Sequence, residues 1–165
     1  MSATTPLVHG GSAAPDAPVT RVGGLPLAPA GTGWPGCAVC AGPLQFLAQV
    51  VLDDGRGVLA VFMCAHRPGR CEQWSATGGG NRAFLFPAAG LRPLRLPHPD
   101  AELGGVPEWL PYEETPHCPG CVRPMDFAAM LTEDPDPLTA PDFGSGRAYA
   151  FTCTPCARAA FGRQC

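Results

Sequence analysis

The sequence predicts a mainly β protein, with room for a small α+β admixture, in which two similar β-hairpin units form one compact domain. Three observations lead there. Gly and Pro together make 42 of the 165 residues, close to the ~25–30% above which a non-periodic chain turns disordered, and few stretches between them are long enough for a helix. The apolar runs that remain are short and rich in β-branched and aromatic residues. Finally, eight of the nine cysteines fall into two four-thiol sets that sit inside a duplication at an offset of 81 residues.

The duplication can be followed position by position. Adding 81 to Gly23, Gly24, Pro26, Pro35, Cys37, Cys40, Pro43, Phe46 and Ala48 lands on the same residue type each time, and Leu25 and Leu44 meet Val106 and Met125. The shared positions are turn-formers, thiols and the apolar residues that follow them, so the repeat is structural rather than compositional. The copies then drift in length and re-align where Val61–Cys64 matches Ala150–Cys153. Each half reads as turn, thiol pair, strand, loop, strand, thiol pair. The expected organisation is a disordered leader over residues 1–20, a first β-rich repeat over 21–99 and a second over 100–165.

Within the first repeat, Gln45–Leu52 and Val58–Cys64 are β-rich runs joined by Asp53-Asp54-Gly55-Arg56-Gly57, a turn sequence with glycines available for positive φ, and so form a hairpin. Arg82–Phe86 and Leu91–Leu96 are further short strands, separated by Pro87 and Gly90. In the second repeat Met125–Leu131 pairs with Arg147–Cys153 across Thr132–Gly146, an acidic, Pro-rich loop.

Cys37-x2-Cys40 with Cys64-x6-Cys71, and Cys118-x2-Cys121 with Cys153-x2-Cys156, are each two close thiol pairs a few tens of residues apart. That is how a chain brings four sulfurs into a tetrahedron around zinc. The expected cofactors are therefore two structural Zn2+ ions in zinc-ribbon-like units. Two small cores cut by so many turns bury little apolar surface against chain entropy, whereas a structural zinc site contributes on the order of 10 kcal/mol of folding free energy. Disulfides are the competing use of cysteine. The N-terminal twenty residues have neither the early positive charge nor the apolar run of a signal peptide, no segment approaches the ~18–20 apolar residues of a membrane span, and a reducing cytoplasmic location favours metal. Cys165 is left over as a free thiol.

Catalytic patterns are absent from the linear sequence. Sets of four thiolates leave no open coordination position for water, and His66 and His117, next to ligands, read as neighbours rather than ligands. There is no lysine for a phosphate-binding loop and no Gly-x-Ser-x-Gly elbow. His117-Cys118-Pro119-Gly120-Cys121 could suggest a redox dithiol, but Pro124 and a β-like run follow it where a helix would be needed. The expectation is a protein that is not an enzyme.

Net charge is only −3, yet positions 100–142 carry ten acids and one base, Arg123, and every one of the eleven cations is arginine. The uneven distribution suits a basic protein partner on the second half. A pI near 5.7 argues against a nucleic-acid footprint, although a ribbon bearing Arg67, Arg70 and Arg82 keeps nucleic-acid binding as the alternative. Trp34 and Trp74 are expected to pack on the metal loops. Trp109 and Tyr112, with Glu113 and Glu114, form the candidate partner surface.

Arg21-Val22-Gly23-Gly24-Leu25-Pro26, Cys37 and Cys40 followed by Pro43-Leu44-Gln45-Phe46-Leu47-Ala48-Gln49-Val50, and Cys64 with Pro68-Gly69-Arg70-Cys71 and Trp74 resemble the pattern of YwqG-like bacterial proteins and the related programmed cell death protein 2 family. Gly104-Gly105-Val106-Pro107-Glu108-Trp109, Cys118, Cys121, Met125-Asp126-Phe127, Gly146–Cys153 and Phe161–Gln164 are similar to the C-terminal half of that pattern. The resemblance covers most of residues 21–164. It implies a β-rich, internally duplicated fold with no established enzymatic activity, acting as a chaperone for a ribosomal protein or as a toxin-binding immunity protein. A cytoplasmic, zinc-stabilised protein-binding module is the resulting expectation.

Overall fold

The chain is described by a computed structural model over residues 10–67, 69–96, 115–132 and 146–164. Nine strands are present among them: β1 (Arg21–Val22), β2 (Leu27–Pro29), β3 (Gln45–Leu52), β4 (Gly57–Met63), β5 (Asn81–Phe86), β6 (Leu91–Pro93), β7 (Asp126–Thr132), β8 (Arg147–Cys153) and β9 (Arg158–Gln164). Among the described residues helix is confined to two 3-10 turns, Asp53–Gly55 and Thr154–Cys156. The class is mainly β, as the composition requires.

All pairing between strands is antiparallel, in a four-stranded sheet of order β1-β3-β4-β5, a two-stranded β2-β6 ribbon and a three-stranded sheet of order β7-β8-β9. Both hairpins expected from the sequence form, β3 with β4 and β7 with β8. The expected strand over Leu91–Leu96 is shorter, ending at Pro93, because it pairs with only the three residues of β2. Three strands lie beyond the sequence reading: the short β1 and β2, and β9, which follows the last thiol pair and pairs along the whole of β8. The expected boundary at 99/100, Trp109, Tyr112, Glu113, Glu114, the body of the 132–146 loop and Cys165 lie outside the described residues.

Strand β4 reads GVLAVFM and is buried at every position, as a strand covered on both faces must be. Its Leu59, Val61 and Met63 join Leu47, Ala48, Val50 and Leu52 of β3 against Ala148, Ala150 and Phe161 of the three-stranded sheet. The alternate residues Ala60 and Phe62 point the other way, into a cluster with Leu44, Phe46 and the first cysteine set. One sheet thus separates a core shared by both halves from a metal-binding core. Gly57 opens β4 at φ +114, and a Cβ there would collide with the carbonyl oxygen of Phe86 on β5, so glycine is required for the sheet to close.

Gln49 is fully buried in the centre of β3. Its Oε1 accepts from Leu27 N at 3.0 Å and its Nε2 donates to Val19 O at 2.8 Å, fixing β2 and the chain that enters β1. Thr20 Oγ1 accepts from Val51 N at 3.0 Å, so Val19 and Thr20, at the end of the expected leader, are tied to the sheet. Gln49→Leu keeps the volume but strands the Leu27 N–H, and is expected to cost about 1–3 kcal/mol. Urea unfolding should show a lower midpoint at unchanged slope; a change under about 0.5 kcal/mol would mean that the amide does not organise this corner.

Candidate metal centres

The first thiols of each set sit in a tight knuckle, and the two knuckles match bond for bond at positions 81 apart. Cys37 N donates to Gly42 O at 2.8 Å and Cys118 N to Arg123 O at 2.8 Å; Ala41 N donates to Cys37 O at 3.0 Å and Val122 N to Cys118 O at 2.7 Å; Leu44 N donates to Pro35 O at 3.0 Å and Met125 N to Pro116 O at 2.9 Å. The bridges Gly36–Pro43 and His117–Pro124 close both knuckles. Ala41 and Val122 both take the left-handed conformation, with φ of 60° and 59°. A bulge follows at Phe46/Ala48 and again at Phe127/Ala129.

The third thiol of the first set, Cys64, follows the end of β4, and that of the second, Cys153, ends β8. The fourth arrives differently. Cys71 sits in a long loop that folds back on the first knuckle, with Cys64 N donating to Gly80 O at 2.7 Å and Ala38 N to Gly79 O at 3.0 Å. Gln73, fully buried, donates from Nε2 to Cys64 O at 3.3 Å and Arg67 O at 3.0 Å, while Asn81 Nδ2 donates to Gln73 O at 2.7 Å. Gly80 is obligatory, because a Cβ would overlap the Cys71 carbonyl oxygen. Cys156, by contrast, closes a three-residue turn directly after Cys153.

All eight sequence-predicted ligands converge as two groups, Cys37–Cys40–Cys64–Cys71 and Cys118–Cys121–Cys153–Cys156, with the sulfurs of each group within 4.8 Å of one another. Cys40 and Cys64 lie 3.7 Å apart, Sγ to Sγ, as do Cys121 and Cys153. A tetrahedron of sulfurs at the Zn–S distance of ~2.3 Å has an edge of ~3.8 Å, whereas a disulfide would need ~2.05 Å. All eight are free thiols. The donor sets fit two structural zinc ions, each with a closed four-sulfur shell. Neither His66 nor His117 belongs to either group; the His66 ring lies against Gly42.

The electrostatics agree with that reading. The Arg123 backbone N–H and then its guanidinium hold Cys121 down to about 6, while hydrogen bonds to the sulfurs of Cys121, Cys118 and Cys153 push Cys156 up to about 12. Burial likewise raises Cys71 and Cys64. Four sulfurs that share protons in this way concentrate negative charge, and a bound dication neutralises it.

No known family profile matches the chain, and no solved structure matches it. Over 86 residues it is 31% identical to the uncharacterized protein YpfL of Salmonella typhimurium (strain LT2). The match covers 52% of this chain and 19% of that protein, so it spans about a fifth of the length of the curated relative.

Around the first centre, Trp34 packs edge-on against Phe62 at 5.8 Å and donates from Nε1 to Leu44 O at 2.7 Å, the packing role expected of it. A cleft of about 610 Å3 opens beside the second centre, between β5 and the start of β9. It is walled by Phe84, Leu85 and Phe86 on one side and by Met125, Ala159 and Ala160 on the other, with His117 and Arg158 also lining it. No linear signal marked the cleft, since its walls come from both halves of the chain. Among the described residues no helix is long and apolar enough to cross a membrane.

Proposed function

We propose that this chain is a cytoplasmic, non-catalytic protein-binding module in which zinc fixes two copies of one ancestral β unit and the surface they present captures a partner. The observation that carries this reading is the apolar edge of the three-stranded sheet. β7 pairs on one side only among the described residues, and it leaves Phe127 54% and Met130 46% exposed, next to Val122 at 76% on the knuckle. Unpaired strand edges with large apolar side chains are sites where another chain adds on. The matching knuckles and bulges support the common origin of the two halves. The resemblance to YwqG-like and programmed cell death protein 2 proteins supports a chaperone-like or immunity-like role with a basic client, and the closed sulfur shells support structural rather than catalytic metal.

Affinity capture from the host lysate, with nuclease treatment and at moderate and high salt, tests it. One dominant stoichiometric protein should be retained by the wild-type chain and lost by at least tenfold (~1.4 kcal/mol) in Phe127→Asp/Met130→Asp. Recovery of nucleic acid alone, released by salt, would instead favour the arginine-bearing ribbon of Arg67, Arg70 and Arg82.

A further inference from the structure

The two centres share a ligand set and a knuckle but differ in how the fourth sulfur and its surroundings are covered among the described residues. In the first, Cys37, Cys64 and Cys71 are 3%, 0% and 0% exposed, leaving Cys40 as the partly exposed thiol. The loop from Cys64 to Gly80 is bonded to the knuckle through Ala38 and Gly79. Leu44, Phe46, Phe62 and Trp34 complete the surrounding shell. In the second, Cys118 and Cys153 are buried but both Cys121 and Cys156 are partly exposed, the final pair sits in a short turn whose Thr154, Pro155 and Ala157 face solvent, and among the described residues the apolar cover is Met125, Phe151 and Ala160. Zinc is exchanged by an incoming ligand that reaches the metal while one thiolate is leaving, so exposed thiolates are the point of attack.

The knuckles also differ in strain. The left-handed position after the second thiol is Ala41 in the first centre and Val122 in the second. A β-branched residue at φ 59° is a genuine outlier, disfavoured more than alanine because its branched Cβ crowds the following carbonyl. Val122 is 76% exposed, so its side chain gains little packing in return. The closed knuckle carries this strain, and opening it releases the strain. Positive charge flanks the same spot: Arg123 follows Val122 directly in the chain, and the Cβ position of Gly120 lies 3.1 Å from Arg158 Nε and 3.4 Å from Cys156 Sγ. An anionic metal acceptor is drawn to this side of the molecule.

We infer that the centres are unequal by construction: Cys37–Cys40–Cys64–Cys71 is a permanent structural site, and Cys118–Cys121–Cys153–Cys156 is an exchangeable one that yields its zinc first to an anionic chelating acceptor. The chain then has a half-loaded state in which the four-stranded sheet stays closed while the second knuckle opens. Its biological counterpart is metal exchange with another anionic or thiolate-bearing acceptor.

The test uses the full chain loaded with two zinc ions and challenged with excess EDTA, sampled over time, quenched with N-ethylmaleimide and mapped by peptide mass spectrometry. Release should be biphasic, and after the first equivalent has left, Cys118, Cys121, Cys153 and Cys156 should carry the label while the first four remain unlabelled. Relief of strain in Val122→Gly, offset in part by the greater freedom of glycine, should slow the first phase about three- to tenfold, whereas Ala41→Gly should change the second phase less than about twofold. A single phase with both sets labelled together, or labelling of the first set before the second, would overturn the proposal. An unchanged first phase in Val122→Gly would overturn its assignment of the lability to the strained turn.

Discussion

Complete removal of zinc at neutral pH is expected to abolish the cooperative fold, seen as loss of near-UV dichroism and collapse of amide chemical-shift dispersion, with recovery when zinc is restored. Each structural site contributes on the order of 10 kcal/mol, while whole domains are stable by only about 5–15 kcal/mol. The cysteines are also part of the packing: Cys37, Cys64 and Cys71 lie in the same cluster as Phe46 and Phe62, and Cys118 and Cys153 are buried with Met125. Acid should act in the same direction. Bound zinc keeps the thiols ionised, holding them below the ~8.5 of a free cysteine, so their contribution is complete above that value and is lost as pH falls through the depressed range. Melting temperature measured from about pH 8 down to about pH 5 should therefore fall together with bound zinc. A chain that keeps its dispersed spectrum without metal would show that the apolar cores suffice.

Phe62→Ala is the substitution with the largest expected cost outside the ligands. Phe62 is 1% exposed at the centre of the metal-side core, with ring centroids 5.8 Å from Trp34, 5.4 Å from Phe46 and 5.7 Å from Phe84. Truncation of a buried phenylalanine costs about 3–5 kcal/mol, and at this chain length that corresponds to a drop in melting temperature of roughly 6–20 °C. Phe127→Ala supplies the control. Its ring touches Phe151 but is 54% exposed, so the same truncation should cost under about 1 kcal/mol. Equal losses in the two variants would contradict the burial of Phe62 as the organiser of this core.

The metal ligands were legible in the sequence because coordination ties four residues to a spacing the chain itself must supply, and all eight predicted thiols meet in the two predicted groups. The hairpins were legible for a related reason: QFLAQVVL and RAYAFTC are each bounded by turn residues and rich in side chains that suit a pleated surface. Strand β9 was not. RAAFGRQ carries two alanines and a glycine and no β-branched residue, and it becomes a strand because Phe161 fills the core shared with β3 and β4. The β2-β6 pairing joins residues more than sixty positions apart, a distance over which no local pattern speaks. The difference in protection between the two centres also escaped the linear reading, since the Cys64–Cys71 spacing gives no sign that Gln73 and Asn81 would lock that loop to the knuckle.

The most direct measurement is zinc stoichiometry combined with zinc K-edge X-ray absorption on the purified chain. Two zinc ions per chain, each surrounded by four sulfurs at about 2.3 Å, is the predicted result. Fewer than two ions, a shell containing nitrogen or oxygen, or cysteines recovered as disulfides would contradict it.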